Sequence, residues 1–259
     1  MNIGILYICI GKYNIFWEDF YKSCEEHFFP NCNKEYFVFT DEEQIFDHDK
    51  CNVTLIKSAD LGWPYNTLMR YRMFFSIKDK CVLKADYFFF FNANAKFVID
   101  ISDEILPNKD TNFLVSALHP GFINKPVEEY PYERNEKSHA YIAKNEGKYY
   151  YQGCFFGGKI LEFFTLVETC MCNVDLDLEK SLIAIWHDES HLNRYFALVP
   201  PKTLAPSYIY PEDFPLPGYS AKILMRDKAK YGGHNFLRNV KEKWTLKSMI
   251  KRIYTKILI

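Results

Sequence analysis

Apolar residues in the first hundred positions concentrate in four short runs, and polar segments separate them. The runs lie at 3–10 (IGILYICI), 35–40 (EYFVFT), 52–57 (NVTLIK) and 86–91 (DYFFFF). Their lengths and their β-branched and aromatic content predict strands, and the fourth run is too apolar to face water. Ligands of open α/β sheets bind beyond the carboxyl ends of the strands. The polar turn Asn92-Ala93-Asn94 after the fourth run is therefore a candidate site.

Between and after these runs, apolar residues recur at helical spacing. Helices are predicted from a cap at Asn14 to about 29, from Pro64 to about 78, and over 159–172 and 188–196, with a further strand at 149–156. Strands that alternate with helices predict an α/β fold with a mostly parallel central sheet flanked by helices. The polar stretch 119–151 is too long for a simple connection, and we expect it to be functional or mobile.

Composition narrows the class of protein. The 259 residues are 48% hydrophobic and 18% aromatic, which excludes a disordered chain and suits one large α/β domain or two small ones. Aromatic side chains can pack on sugar rings as well as in a core. The eight cysteines form no CxxC pair and the N-terminus resembles no secretion signal, so we expect reduced thiols and a cytoplasmic location.

Charge is unevenly distributed along the chain. The net charge is −1, but residues 222–259 contain eleven Lys and Arg and two acidic residues, so the preceding residues are net acidic. The main body is therefore not predicted to bind nucleic acid. In residues 239–259, apolar side chains such as Leu246, Ile250 and Ile257 fall on one helical face. This pattern predicts a basic amphipathic helix that lies on an anionic membrane surface or docks on the protein's own core.

Two short motifs carry candidate chemistry. At Asn92-Ala93-Asn94, an Asp-x-Asp pair would hold a divalent metal, whereas neutral amides bind hard cations weakly and can hydrogen-bond ribose or phosphate. The alternative is an ordinary turn. The motif WHDESH at 186–191 contains several ionisable residues. Asp188 is a candidate helix cap, and a second interpretation is a metal cluster of His187, Asp188, Glu189 and His191, although its spacing matches no HExxH pattern.

Eight segments, in order along the chain, resemble glycosyltransferase family 6, which contains the blood-group A and B transferases and the α-1,3-galactosyltransferases. They are YICIGKY (7–13), YFVFT (36–40), HPGF (119–122), YER (132–134), AYIAKNEGKYYY (140–151), FFGG (155–158), WHDESHLNRYF (186–196) and APSYIYPE (205–212). The resemblance implies a GT-A-type fold over residues 1–235, with a UDP-binding half at 1–100 and an acceptor-binding half at 101–235, followed by the tail helix at 236–259.

The resemblance also implies an activity. Members move galactose or N-acetylgalactosamine from its UDP derivative to the 3-hydroxyl of a galactose-type acceptor, and the anomeric configuration is retained. The Asn92-Ala93-Asn94 turn resembles the bacterial branch of the family, which works without metal, so no metal or other cofactor is expected. The partners would be UDP-galactose or UDP-N-acetylgalactosamine and a galactose-containing glycan, as in lipopolysaccharide. The tail would contact the inner membrane face peripherally.

Site residues follow from the matched segments. Glu189 is the expected catalytic carboxylate, acting as a nucleophile or as a stabiliser of an oxocarbenium-like ion. The expected acceptor-binding residues are His119, Trp186 and His187. The expected donor-binding residues are Ile8, Tyr13, Arg70, Asn92, Asn94, Gln152, Gly153, Cys154, Asp188, Lys228 and Lys230. The basic candidates for offsetting charge on the leaving UDP are Arg226, Lys228, Lys230 and Arg238, of which the two lysines are favoured.

Residues on the strand predicted at 149–156 bear on donor choice. In the family, Gln152 and Cys154 flank the C2 substituent of the donor sugar, and a cysteine larger than glycine favours UDP-galactose. A catalytically inactive carbohydrate-binding protein of the same fold is one alternative function. A metal hydrolase built on the His187–His191 cluster is another.

Overall fold

A seven-stranded sheet organises the fold in the computed structural model, which describes residues 1–81 and 84–240. Its strand order is β3-β2-β1-β4-β7-β6-β8. The strands are β1 (Asn2–Ile8), β2 (Asn33–Thr40), β3 (Val53–Lys57), β4 (Tyr87–Phe91), β6 (Leu114–Leu118), β7 (Tyr151–Lys159) and β8 (Lys202–Leu204). Strand β7 runs antiparallel to β4 and β6, and the other four pairings are parallel. The prediction of a mostly parallel sheet is therefore confirmed.

Alternation along β4 explains why the sheet is covered on both faces. Successive side chains of a strand point to opposite faces. Phe89 and Phe91 accordingly join the cluster under α1 (Trp17–His27), while Phe88 and Phe90 join the cluster under α5 (Ile160–Glu179). All four phenylalanines are buried. This run of apolar residues is the central strand that the sequence predicted.

The remaining helices are α2 (Tyr65–Leu68), α3 (Arg70–Phe75), α4 (Lys78–Cys81), α6 (Asp188–Leu198) and α7 (Gly233–Leu237). Helix α6 confirms the helix predicted at 188–196. Two other predictions need correction. The helix expected from Pro64 to about 78 is divided into three short helices, and the helix expected from Asn14 begins at Trp17 after a 3₁₀ turn. Asn14 does not cap it, because its side chain donates to Glu42.

A second, three-stranded sheet lies where β4 ends. It consists of β5 (Ala95–Phe97), β9 (Tyr210–Pro211) and β10 (Ile223–Met225) in the order β5-β10-β9. The Asn92-Ala93-Asn94 turn joins the two sheets, and the Tyr7 hydroxyl fixes it by donating to the carbonyl of Ala93 at 2.9 Å. Strand β10 therefore brings the C-terminal part of the chain to this turn.

The stretch 119–150 forms no strand and a single 3₁₀ turn, Val127–Glu129. It nevertheless has an apolar cluster of its own, in which Tyr132, Ile142 and Tyr150 are buried. The Tyr132 hydroxyl also donates to the carbonyl of Tyr149 at 2.7 Å. We call residues 119–150 the acceptor-side loop.

Of the helix predicted at 236–259, only residues 236–240 lie within the described part of the chain. Helix α7 ends at Leu237 and Asn239 has a left-handed φ of 52°, so a helix does not run on from 236. Residues 241–259 lie outside the described residues.

Within 1–81 and 84–240, no helix is both long enough and apolar enough to cross a bilayer. The seven cysteines whose side chains are described are free thiols.

Candidate active site

Two adjoining cavities open beyond the carboxyl ends of β1 and β4. We call the first, of about 210 Å³, the cationic cavity. Its lining combines three basic side chains with the Asn-Ala-Asn turn and apolar residues. The lining residues are Ile8, Ile10, Gly11, Tyr13, Asp60, Trp63, Asn66, Thr67, Arg70, Phe90, Asn92, Ala93, Asn94, Lys228 and Arg238.

The second cavity, of about 160 Å³, contains two carboxylates, and we call it the acidic cavity. It shares Trp63, Thr67, Arg70 and Asn92 with the cationic cavity, so the two form one continuous cleft. Its other lining residues are Gln152, Gly153, Cys154, Trp186, His187, Asp188 and Glu189.

Three cations from distant parts of the chain meet in the cationic cavity. Arg70 begins α3, whereas Lys228 and Arg238 follow β10. The Arg238 guanidinium lies over the Trp63 ring, 3.5 Å from its centroid. Burial, together with the positive charges of Arg238 and Arg70, lowers the pKa of Lys228 to about 8. Because these positive charges repel one another, an anionic ligand bound among them would be stabilised.

The Asn92-Ala93-Asn94 turn presents amides to this cavity. The Asn94 Nδ2 donates to the carbonyl of Arg226 at 2.8 Å, while its buried Oδ1 has no hydrogen-bond partner among the described residues. An orphaned buried acceptor is costly unless a ligand donor completes it. Asn92 lines both cavities. The turn is therefore suited to hydroxyl groups of a ligand.

Arg70 links the two cavities through a buried ion pair. Its Nη1 lies 2.9 Å from Asp188 Oδ2 and also donates to the carbonyl of Gly153. Its guanidinium lies 4.6 Å from the centre of the Phe90 ring. Burial raises the pKa of Asp188 to about 6, although Arg70 opposes that shift. The pair is enclosed, since both side chains are less than 10% exposed.

Glu189 is held by two hydrogen bonds. Its Oε1 accepts from the Tyr150 hydroxyl and its Oε2 accepts from the backbone N–H of Gly153, each at 2.7 Å. Burial raises the pKa of Glu189 to about 7, against the lowering effect of those donors, and Asp188 raises it further. A Cβ at Gly153 would lie 3.2 Å from Glu189 Cβ and 3.3 Å from Asp188 Oδ2. The absence of a side chain at 153 keeps this space open.

A strained turn orients the residues that precede α6. His187 is the N-cap of α6 with a φ of 52°, a conformation that non-glycine residues rarely adopt. Asp188 is therefore the first residue of the helix, and the prediction that it caps the helix is wrong. Trp186 is 48% exposed, and the His187 ring lies edge-on to Trp63 with centroids 4.9 Å apart. Both rings thus line the mouth of the acidic cavity.

The proposed metal cluster is not assembled. Asp188 faces Arg70, whereas His191 is buried with its Nε2 3.7 Å from Asp177. Among residues 1–81 and 84–240, no group of three or more His, Cys, Asp and Glu side chains is placed to hold a metal ion. The His187–His191 interpretation is therefore wrong, and the hydrolase alternative loses the metal site on which it depended.

His119 lies beside the acidic cavity rather than in its wall. Its ring packs 5.7 Å from that of Tyr150 and 4.9 Å from that of Phe122. Burial lowers the pKa of His119 to about 4, so the ring is neutral near pH 7. The backbone N–H of Gly121 donates to its Nδ1 at 3.0 Å, which leaves the proton on Nε2. His119 can therefore donate one hydrogen bond.

The cleft brings together most of the residues singled out in the sequence. Lys230 is an exception: it is exposed, lies outside both linings and pairs with Glu212 at 3.0 Å. Arg226, another basic candidate, is buried against Asp19 and shapes the turn from behind. The sequence-based assignment missed Tyr150, although it stood inside a matched segment. Arg238 was one of the basic candidates of the C-terminal segment but was not the favoured one, because its partner Trp63 lies far along the chain and no local signal pointed to their contact.

Comparison with known proteins identifies the family. The family model described as Glycosyltransferase family 6 matches residues 1–239. The chain belongs to glycosyltransferase family 6. The Escherichia coli O-antigen biosynthesis glycosyltransferase WbnI is 40% identical over 230 residues, which cover 89% of this chain and 96% of that protein. The expected resemblance and the GT-A-type α/β fold are thereby confirmed.

Two vertebrate relatives extend the comparison. The chicken Globoside alpha-1,3-N-acetylgalactosaminyltransferase 1 is 31% identical over 84% of this chain and 64% of its own length. The rat Histo-blood group ABO system transferase 1 is 32% identical over 81% of this chain and 61% of its own length. As a family 6 glycosyltransferase, the protein takes a nucleotide-sugar donor and a glycan acceptor.

Proposed function

We propose that the protein is a retaining hexosyltransferase that moves galactose, or N-acetylgalactosamine, from its UDP derivative in α-1,3 linkage to a galactose-type glycan, without a metal. One observation carries this proposal. Glu189, fixed by Tyr150 and Gly153, faces a cavity that continues directly into a second cavity lined by three cations. A nucleotide sugar would place its negatively charged diphosphate in the cationic cavity and its sugar in the adjoining acidic cavity.

The cationic cavity would hold the UDP. The leaving diphosphate gains negative charge in the transition state, and preorganised cations stabilise such charge. Arg70, Lys228 and Arg238 are the side chains for this role. The acceptor oxygen of Asn94 would receive a ribose hydroxyl, and Ile8 and Tyr13 would enclose the base. We do not include Lys230 in the donor site, because its ammonium group is engaged by Glu212.

The residues of the turn fit a metal-free mechanism better than a resident divalent cation. Hard cations select carboxylate oxygens, and both polar residues of the turn are neutral amides. The Asn94 amide nitrogen is moreover engaged by the Arg226 carbonyl. The three basic side chains offer the positive charge that a metal supplies elsewhere. No step of the proposed reaction is assigned to a metal.

Glu189 would act at the anomeric carbon. Retention requires either a covalent glycosyl–enzyme intermediate, followed by attack of the acceptor, or attack from the same side as UDP departs. The carboxylate serves as the nucleophile in the first course and stabilises an oxocarbenium-like ion in the second. Asp188, held by Arg70, would accept hydrogen bonds from the hydroxyl groups of the donor sugar.

Donor preference is proposed from β7. Cys154 is buried in the wall of the acidic cavity and its thiol donates to Gln152 Oε1 at 3.3 Å. The pair leaves less room than a glycine would at 154, which favours the hydroxyl of galactose over an N-acetyl group. The acceptor would approach past Trp186 and His187, with His119 Nε2 as a hydrogen-bond donor nearby. A surface glycan of the lipopolysaccharide type is the proposed acceptor class.

The decisive experiment is UDP release with each donor and a panel of galactose-terminated acceptors, with and without EDTA. We expect acceptor-dependent release of UDP from UDP-galactose, at a rate that EDTA leaves unchanged. NMR of the product should show an α-1,3 linkage. Loss of release in EDTA would contradict the metal-free part alone. Glycan binding without any release would instead identify the inactive carbohydrate-binding protein.

Membrane contact is a separate part of the proposal. Residues 241–259 contain six Lys and Arg against one Glu, and the described chain reaches Val240 just after Arg238 of the cationic cavity. A basic segment at that point would hold the cleft near an anionic membrane, on its cytoplasmic face. Co-sedimentation with vesicles containing phosphatidylglycerol tests this, with a chain ending at 240 as the control. Equal binding by both chains would refute it.

A further inference from the structure

A buried polar cluster lies behind the acidic cavity, where α5 ends. Asp177 stands in the last turn of this helix and is 1% exposed. An ionised acid at this place is unfavourable for two reasons. Burial penalises its charge, and the C-terminus of a helix carries a negative potential that repels it. Its position therefore needs a reason other than helix stability.

Three donors from the acceptor-side loop satisfy that carboxylate. The Ser138 hydroxyl donates to Asp177 Oδ2, and the backbone N–H of His139 donates to Oδ1 at 2.7 Å. The His139 ring nitrogen Nδ1 lies 2.8 Å from the same oxygen. Burial raises the pKa of Asp177, but these hydrogen bonds outweigh it and hold that pKa below its usual value. The carboxylate therefore fastens the middle of the loop to α5 as an anion.

The same loop is fastened to α6 and to the turn before it. Glu133 Oε2 accepts from the backbone N–H of Ile185 at 2.7 Å, immediately before Trp186. Glu146 pairs with Arg194 of α6 at 2.9 Å. At its end, the loop delivers Tyr150, whose hydroxyl holds Glu189. The loop thus contacts the turn before α6 and α6 itself, and its last residue holds Glu189.

We propose that Asp177 is a positioning residue: it clamps the acceptor-side loop onto α5 and so sets the placement of Tyr150, Trp186 and His119 for the acceptor glycan. This inference rests on the proposed transferase reaction. No described residue of the acceptor-side loop or of α5 lines the cationic cavity, where the nucleotide is proposed to bind. The clamp should therefore govern acceptor use and leave UDP binding unchanged.

The test compares Asp177→Asn with Asp175→Asn in the full-length chain. Asp175 lies on the same helix, and its carboxylate binds Arg72 of α3 rather than the loop. The measurements are acceptor KM, donor KM, Kd for UDP and the rate of tryptic cleavage at the exposed Lys137 and Lys144. Each is made well below the melting temperature of the variant.

For Asp177→Asn we expect acceptor KM to rise about 10-fold and loop cleavage to accelerate, with the Kd for UDP unchanged. Asp175→Asn should match the wild type in all four measurements. Ser138→Ala, which keeps the buried charge and removes one donor, should give a smaller change in the same direction. It also serves if Asp177→Asn fails to fold.

Three outcomes would overturn the inference: an unchanged acceptor KM with unchanged cleavage, parallel loss of UDP and acceptor binding, or equal effects of the two aspartate substitutions. Failure of the proposed function is distinguishable, because the wild type would then lack transfer while the cleavage comparison would still report on the clamp.

Discussion

The two cavities of the cleft differ in where their charged side chains come from and in how far those side chains are already paired. In the cationic cavity, Lys228 and Arg238 come from the C-terminal segment and are themselves only partly buried. In the acidic cavity, Asp188 and Glu189 begin one helix, and Arg70, Tyr150 and a backbone N–H hold them. The cations are thus available to a ligand, whereas the acids are already partly satisfied. The difference suggests that the first cavity provides affinity and the second provides chemistry.

Among the substitutions that test this difference between the cavities, Glu189→Gln should have the largest effect. The amide keeps the shape and removes the negative charge, so turnover should fall by about 10³-fold while the Kd for UDP-galactose stays within a factor of three. Steady-state kinetics and calorimetry measure the two quantities. The surface variant Glu179→Gln, at the exposed end of α5, is the control. Near-normal turnover of Glu189→Gln would remove Glu189 from the mechanism.

The complementary change is made in the cationic cavity. We expect Arg238→Ala combined with Lys228→Ala to weaken UDP binding by about 100-fold, because each charge-assisted hydrogen bond contributes about 1.5–3 kcal/mol. Calorimetric titration with UDP measures this effect. Lys230→Ala is the matched control, since its exposed ammonium group pairs with Glu212. An equal loss in the control would show that general charge, not the cavity, determines affinity.

The pH dependence probes the acidic cavity. The pKa of Glu189 is about 7, set by burial, by the Tyr150 and Gly153 donors and by the neighbouring Asp188 and Arg70. Since the proposed mechanism requires the ionised form, kcat/KM should fall tenfold per pH unit below about 7. Tyr150→Phe removes a donor to the carboxylate and should move this limb to higher pH. An acid limb unchanged in Tyr150→Phe would mean that another group controls it.

The smallest predicted effect concerns donor choice. Cys154→Gly enlarges the wall beside Gln152 and should raise the use of UDP-N-acetylgalactosamine relative to UDP-galactose by about 10-fold. Competition between the two donors measures the ratio. Cys170→Ala, in the core on the far side of the sheet, tests whether loss of any buried thiol has the same effect. A wild type that uses only the acetylated donor would reverse the assignment.

The sequence predicted the sheet far better than it predicted the turns around the site. The strand at 87–91 is apolar on both faces, and its short length and aromatic content were sufficient to identify it. The broken helix after Pro64 was missed, because apolar spacing does not report where one short helix stops and Arg70 begins the next. The strained φ of His187 could not be predicted either, since it depends on tertiary contacts of the turn.

For the site, matched motifs identified the acids and the Asn-Ala-Asn turn, but they did not identify the partners. That Glu189 accepts from Tyr150 and from the N–H of Gly153 depends on how α6 docks on β7. The sequence could not separate Lys228 from Lys230 for a similar reason. Both are lysines in one short segment, and only the fold shows that one enters the cavity while the other pairs with Glu212.

Arg226 has a consequence for the order in which the site becomes complete. Its guanidinium holds Asp19 and the carbonyl of Phe16, while its backbone carbonyl accepts from Asn94. All seven strands of the central sheet precede this arginine in the chain, whereas the wall proposed to receive the nucleotide needs it in place. During synthesis, the donor site can therefore be completed only after the ribosome has released nearly the whole of the described chain.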